Sequence, residues 1–489
     1  MMLRQIDYAA IRSGIAAIPA DLSNDAIGDY APKLEDIYAP ETHASALDPS
    51  IPIVVGSRGT GKSFWSGVLG QEETRAAASV AYPRLGLCDL MVGFGFTGGV
   101  GGPHGVSFEA LNALIPSNAG IDEAKAFWWA TILRAAGKTG DIHTRLSELM
   151  PIAHDWEARE EIVAKQEKSF RSEEKILLIV YDALDTVANN WPRRRLLTEA
   201  LLEVVWAMRA YRFIKLKLFL RPDQIDDDAL RFIELPKLRT GAVRLAWSGT
   251  DLYGLLYSRL ALSMQDEARL AFSDLLRSLD ISGASRNTIL SRKWPLAHDA
   301  SYQARVMEAL AGSFMADGPY GYKKGKTYDW PIKHLGDAFE EVTPRSFLGL
   351  MIAAAKRGSP PPNRVITPDG IRHGLREASK TRVDQLHLEF PWIKGVLAPL
   401  SGLLLPQDEA EVFSVWRRAH TIDLLTKDAT ENGYLPPFPI EGHAGEEQQL
   451  FEALRRIGVM FRRKDERIDM PDLFRVAAKL LKKGGTAPL

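Results

Sequence analysis

The sequence predicts an α/β fold, a parallel doubly wound sheet followed by helices, from three observations. Apolar runs of strand length occur at 51–55, 176–181 and 214–220, with another at 242–247. Stretches with helical spacing of apolar residues, such as 108–149 and 194–209, lie between them. From residue 251 onward the helical pattern takes over. Strands that alternate with helices pair in parallel, because each crossover returns the chain to the same end of the sheet. A strand covered on both faces is apolar at nearly every position, and Ile176-Leu-Leu-Ile-Val-Tyr181 reads that way.

Taken in order, residues 1–50 read as a short helical and irregular lead-in, with 31–39 a helix or loop against the core edge. Strand 51–55 runs into a glycine-rich loop, and a helix follows from Phe64. Residues 77–91 are apolar and β-branched enough to hold the second strand. Residues 92–105 are dense in glycine, have no Lys-Ser ending and open no helix, so they read as a loop. Phe127, Trp128, Ile132 and Leu133 recur at helical spacing and belong to the core, and 156–175 is a charged helix. Helices are expected within 251–279, 301–315 and 343–356, with a basic loop at 318–327 and a Pro-rich linker at 356–363. Thr367-Pro368 has the cap and first-turn proline of a new helix. Helical character runs to about 427, then a Pro/Gly-rich loop, a helix at 446–457, a hairpin around Lys464-Asp-Glu, and a closing helix at 471–483. The domains expected are 1–248, the sheet core with its lead-in; 249–358, a helical lid; and 367–489, a helical domain ending in a winged-helix-like module.

Composition narrows the function classes. The 489 residues carry 61 basic and 62 acidic side chains, so any nucleic-acid contact needs a local patch rather than global charge. A single cysteine, Cys88, excludes an internal disulfide and a cysteine metal site, and fits a reducing cytoplasm. No run approaches the ~20 apolar residues of a membrane helix, and the N-terminus lacks a signal-peptide pattern. The histidines show no His-Glu-x-x-His spacing, and no nuclease, protease or deaminase constellation stands out.

The chemistry concentrates at Gly56-Ser57-Arg58-Gly59-Thr60-Gly61-Lys62-Ser63, a complete G-x-x-x-x-G-K-[ST] loop between a strand and a helix. Glycines let the backbone close around a phosphate, and loop N–H groups at the helix start present positive partial charge to it. Lys62 adds a full charge near the β/γ-phosphates, the Ser63 hydroxyl suits Mg²⁺, and Phe64 opens the helix behind them. The ligand expected is therefore a nucleoside triphosphate with Mg²⁺. Asp182, at the end of an apolar strand, suits the metal shell opposite Ser63, and Asp185 is placed to orient or activate water. Arg221 ends a strand expected beside the 51–55 strand, where a guanidinium reaches a γ-phosphate; Arg345 begins a lid helix and is a second candidate. Arg193, Arg194, Arg195, Arg209 and Arg212 read as solvated helix charges, or as a finger offered to a neighbouring subunit.

These motifs together resemble AAA+/STAND-type ATPases of the additional-strand P-loop class, including prokaryotic ATPases of conflict and defence loci. The resemblance covers about 40–360, and the 455–473 tail resembles a winged-helix ending. It implies that Lys62 and Ser63 bind phosphate and Mg²⁺, that Asp182 is the Walker B acid, and that Arg221 and Arg345 are sensors 1 and 2. Ala183 stands where many such ATPases carry Glu, which implies a slow, switch-like enzyme. The function expected is an ATP-controlled switch that assembles with itself or engages a partner protein of the same locus, with a role in antiphage defence. The alternative is nucleotide-regulated DNA binding through the basic residues of the tail, Arg455, Arg456, Arg462, Arg463, Lys464, Lys482 and Lys483. A GTPase lacks its Asn-Lys-x-Asp motif here, and no acceptor pocket of a small-molecule kinase is evident.

Overall fold

The computed structural model describes residues 6–19, 32–98, 106, 108–137, 145–188, 191–225, 230, 232–359, 361–432, 434, 437 and 445–488. Two compact units emerge, one from Asp21–Ala246 and one from Met1–Ala20 together with Trp247–Leu489.

The first unit is built on a five-stranded parallel sheet. In chain order its strands are β1 (Ile53–Val55), β2 (Leu90–Phe96), β3 (Ile176–Tyr181), β4 (Ile214–Leu220) and β5 (Val243–Arg244). Their spatial order is β2-β3-β4-β1-β5, so β4 lies between the glycine-loop strand and the Asp182 strand. Register aligns Val55 with Leu220 and Tyr181 with Leu218, bringing the strand ends before Gly56, Asp182 and Arg221 to one edge. Ile53, Val55, Leu177, Ile179, Leu216 and Leu218 pack with helices Ile121–Ala136 and Trp191–Met208 in one apolar core. Val54, Leu178, Val180 and Phe219 alternate with that set and are buried as well. Helix Lys62–Gly70 packs against β2 and β4.

The second strand departs from expectation. Residues 72–81 form a helix, Glu72–Ala81, and the strand is Leu90–Phe96, which takes its first two residues from the segment expected to hold it and the rest from the segment read as a glycine loop. Its glycines answer to packing. A Cβ at Gly95 would lie 2.1 Å from the Tyr181 ring on β3, and one at Gly93 would meet Ala135 Cβ at 3.4 Å. The rest of that loop, 99–105, lies outside the described residues.

The second unit joins the two ends of the chain. Helix Tyr8–Ala16 packs on helices Asp266–Ser278 and Pro344–Lys356. Its buried Arg12 donates to the carbonyls of Arg357 (2.6 Å), Gly358 (2.9 Å) and Val365 (3.2 Å), fixing the linker. Helix Pro368–Glu389 starts where Thr367 accepts the Gly370 N–H at 3.0 Å. It presses on the helix before it so closely that a Cβ at Gly374 would sit 2.3 Å from the Leu350 carbonyl oxygen.

Helix Glu446–Arg456 and an antiparallel pairing of Phe461–Arg462 with Ile468–Asp469 follow near the end; most of the preceding Pro/Gly loop is outside the described residues. The closing helix expected at 471–483 is a single turn, Asp472–Arg475, and Leu481–Lys482 instead pairs in parallel with Leu404–Leu405. The cause is Arg475. Its fully buried guanidinium donates to Asp472 and to the Leu480 and Thr486 carbonyls, and the chain wraps around it rather than continuing as a rod. Among the described residues, no helix is long and apolar enough to cross a membrane.

Candidate functional site

The loop after β1 is held open by its glycines. Gly59 (φ 86°) and Gly61 (φ 102°) take left-handed backbone that a side chain would strain. Gly56 donates its N–H to the Leu220 carbonyl at 3.0 Å, and a Cβ there would meet Thr60 Oγ1 at 2.5 Å. Thr60 Oγ1 in turn donates to the Ser57 carbonyl at 2.8 Å. Lys62 opens helix Lys62–Gly70 and curls its Nζ back onto the Gly56 (2.7 Å) and Ser57 (3.1 Å) carbonyls. Arg58 is half-buried, and Phe64 is buried edge-on against Trp65 with ring centroids 5.3 Å apart.

The strand order then decides what faces this loop. Asp182 is buried at the end of β3, its N–H bonded to the Phe96 carbonyl at 2.9 Å. Its carboxylate lies close enough to the Ser63 hydroxyl and the Lys62 ammonium for both to act on it. Burial pushes its pKa up; the Ser63 and Ala183 hydrogen bonds and the Lys62 charge pull the other way without cancelling burial. A buried carboxylate beside a hydroxyl is chemically suited to a hard, oxygen-seeking cation. Ser63 and Asp182 thus fit Mg²⁺ in donor type. The next residue, Ala183, adopts φ 53° without being glycine, a conformation that costs about 1 kcal/mol and turns the chain sharply into the Leu184–Thr186 turn.

Asp185, in that turn, is ion-paired with Arg221 from the end of β4. Burial alone would raise Asp185; the Arg221 charge and hydrogen bond outweigh it and hold the carboxyl below its ordinary value. A carboxylate so engaged is a weak base. Arg221 is itself buried, with its N–H on Gln224 Oε1 at 2.9 Å. The Gln224 amide nitrogen is buried with no hydrogen-bond partner among the described residues. Arg194 is close enough to Arg221, Asp185 and Asp223 to feel their charges, and its guanidinium bonds the Ala188 carbonyl at 3.0 Å. Arg193 donates to the Ile115 and Pro116 carbonyls. Arg193 and Arg194 are therefore half-buried structural donors rather than solvated helix charges.

The structure brings Gly56 through Phe64, Asp182, Asp185 and Arg221 into the same unit, whereas Arg345 lies in the first turn of helix Pro344–Lys356 in the other. Sequence reasoning passed over Gln224, since a lone Gln after a strand carries no pattern. It also passed over His43, fully buried: its Nδ1 accepts the Trp65 indole N–H at 3.0 Å and its Nε2 donates to the Ala246 carbonyl at 3.0 Å. That ring ties the segment before β1 to the helix behind the loop.

No protein-family model and no curated protein matches the chain. Among solved structures it is similar to the ORC2 protein of Aeropyrum pernix, determined as ADPNP–ADP complexes, at 12% identity over 92% of this chain and 94% of that one, TM-score 0.40. It is also similar to a Walker-type ATPase of Pyrococcus abyssi (11%, 93% and 97%, TM-score 0.37) and to Cdc6p of Pyrobaculum aerophilum (10%, 96% and 94%, TM-score 0.28).

Proposed function

We propose that the chain is an ATP-binding, Mg²⁺-dependent ATPase of the AAA+-like additional-strand class that works as a slow nucleotide-controlled switch. The observation that carries this is the buried Asp182 carboxylate at the end of β3, set close to Ser63 and Lys62 of the glycine loop. Support also comes from β4 standing between β1 and β3, the strand order after which that class is described. On this reading the loop N–H groups and Lys62 would bind the triphosphate, and Ser63 and Asp182 would hold Mg²⁺, which would supply charge neutralisation there. Asp185 positions Arg221, and Arg221 with Gln224 meets the terminal phosphate. Ala183 in place of a glutamate, and an Asp185 already engaged, support slow turnover. The helical unit is the part expected to respond, through Arg345, and to present the assembly or partner surface. The alternative of DNA binding through the tail has less support, because Arg455, Arg462, Arg463 and Lys482 are each ion-paired with neighbouring carboxylates.

Calorimetry with ATP and Mg²⁺, and phosphate release, on wild type and Lys62→Ala test this. Loss of an electrostatic clamp of this kind lowers turnover by about 10² to 10³. Unchanged binding and turnover in Lys62→Ala overturns the site. Native mass measurement with and without ATP·Mg²⁺ tests the switch: an unchanged mass distribution alone and with products of neighbouring genes defeats it.

A further inference from the structure

The basic loop at 318–327 is a built hairpin. Its neck is closed by the bridge between Phe314 and Lys326, with Met315 N–H on the Gly325 carbonyl (2.9 Å) and Thr327 N–H on the Ser313 carbonyl (3.1 Å). Buried Thr327 donates its hydroxyl to the Gly312 carbonyl, and Arg372 from helix Pro368–Glu389 donates to the Met315 carbonyl. The tip is a tight turn, Gly321–Lys324, with Gly321 N–H on the Gly318 carbonyl at 3.0 Å. Gly318 and Gly325 take positive φ, and a Cβ on buried Gly321 would fall 2.2 Å from the Ala316 carbonyl oxygen.

What this frame holds out is unusual for a surface turn. Tyr320 is 68% exposed and Tyr322 57% exposed, both at the tip. Lys323 lies 4.9 Å from the Tyr320 ring centroid and 6.0 Å from that of Tyr322, and Lys324 and Lys326 are exposed beside them. No acid occurs between 318 and 327. The nearest on the N-terminal side, Asp317, is ion-paired with Arg364 at 2.9 Å. Exposed aromatic faces interleaved with cations serve unpaired bases and their phosphates: the bases stack, the lysines track the backbone. In a duplex the bases already stack on each other, so the tyrosines gain nothing there.

We propose that this hairpin binds single-stranded nucleic acid, Tyr320 and Tyr322 stacking on bases and Lys323, Lys324 and Lys326 meeting phosphates. The proposal stands independently of the nucleotide site. The test is fluorescence anisotropy of the full chain with labelled dT20, rU20, a 20-base-pair duplex and a poly-glutamate peptide, over a salt series. Single strands bind more tightly than the duplex, and comparison of dT20 with rU20 tells which backbone is preferred. Tyr320→Ala/Tyr322→Ala weakens single-strand binding about tenfold or more, while Tyr320→Phe/Tyr322→Phe retains it. Changing the three lysines to Ala flattens the slope of log K against log salt by about 2, at about 0.7 per phosphate. Circular dichroism confirms that the variants fold, the substituted side chains all being exposed. Unchanged single-strand affinity in the Ala variants overturns the proposal even if the chain binds nucleic acid elsewhere. Equal loss on the duplex overturns the stacking role, and tighter capture of poly-glutamate than of either strand reassigns the hairpin to an acidic protein partner.

Discussion

Lys217 offers the sharpest test of how this sheet is held. It sits on β4, fully buried, and its Nζ donates to the carbonyls of Ala46, Asp48 and Ile51, each at 2.8 Å. Those carbonyls belong to the segment that leads into β1, so the ammonium fastens the approach to the glycine loop. Burial pushes its pKa from 10.5 down to about 7, with the Asp48 carboxylate pulling upward. An unfolded lysine keeps its proton to the higher value. Between about pH 7 and about pH 10.5 the unfolded chain therefore holds more protons, and raising pH favours the folded state; below about pH 7 both states are protonated and the dependence vanishes. From about pH 7 to about pH 9.5 the gain has an upper bound of roughly 3 kcal/mol, since the carbonyl acceptors also favour the charged form. Lys217→Met keeps the volume and removes the titration. Urea unfolding read by tryptophan fluorescence, at several pH values on both proteins, isolates the effect because they share every other group. The wild-type-minus-variant difference in unfolding free energy rises with pH across the window. A flat difference refutes the reasoning.

Three further outcomes follow from the same geometry. Gly95→Ala drives a methyl into the Tyr181 ring and costs about 1–3 kcal/mol; thermal unfolding reads it, and an unchanged midpoint shows that β2 relaxes freely. Arg12→Ala strips the donors from three linker carbonyls and costs about 1–3 kcal/mol; faster protease cleavage within 357–365 reports it, and wild-type resistance counts against the clamp. If Asp185 acts through Arg221, then Asp185→Asn, Arg221→Ala and the double variant lose ATP turnover by about the same factor, as residues acting as one unit do; losses that multiply separate the two roles.

Several elements were legible because their causes are local. Ile176–Tyr181 is apolar at every position and is the strand expected, and Thr367-Pro368 caps the helix it announces. The hairpin around Lys464-Asp-Glu is present as read. The glycine loop was legible for a similar reason: its backbone needs positive φ at Gly59 and Gly61, and only glycine supplies it without strain. Segment 92–96 was misread because glycine is locally a loop signal. Here its cause is the Tyr181 ring on another strand, 86 residues from Gly95 by position in the chain.

By itself, then, the sequence determined a parallel α/β unit with a phosphate-type loop, and helices after it. Tertiary structure alone decided that Asp185 is engaged by Arg221, that the buried Gln224 amide nitrogen finds no partner among the described residues, and that the last helix stops at Arg475. Backbone propensity and apolar period act over a few neighbouring residues and leave a readable mark. Ion pairs and close approaches join residues far apart in the chain, and their partners are known only once the fold has brought them together.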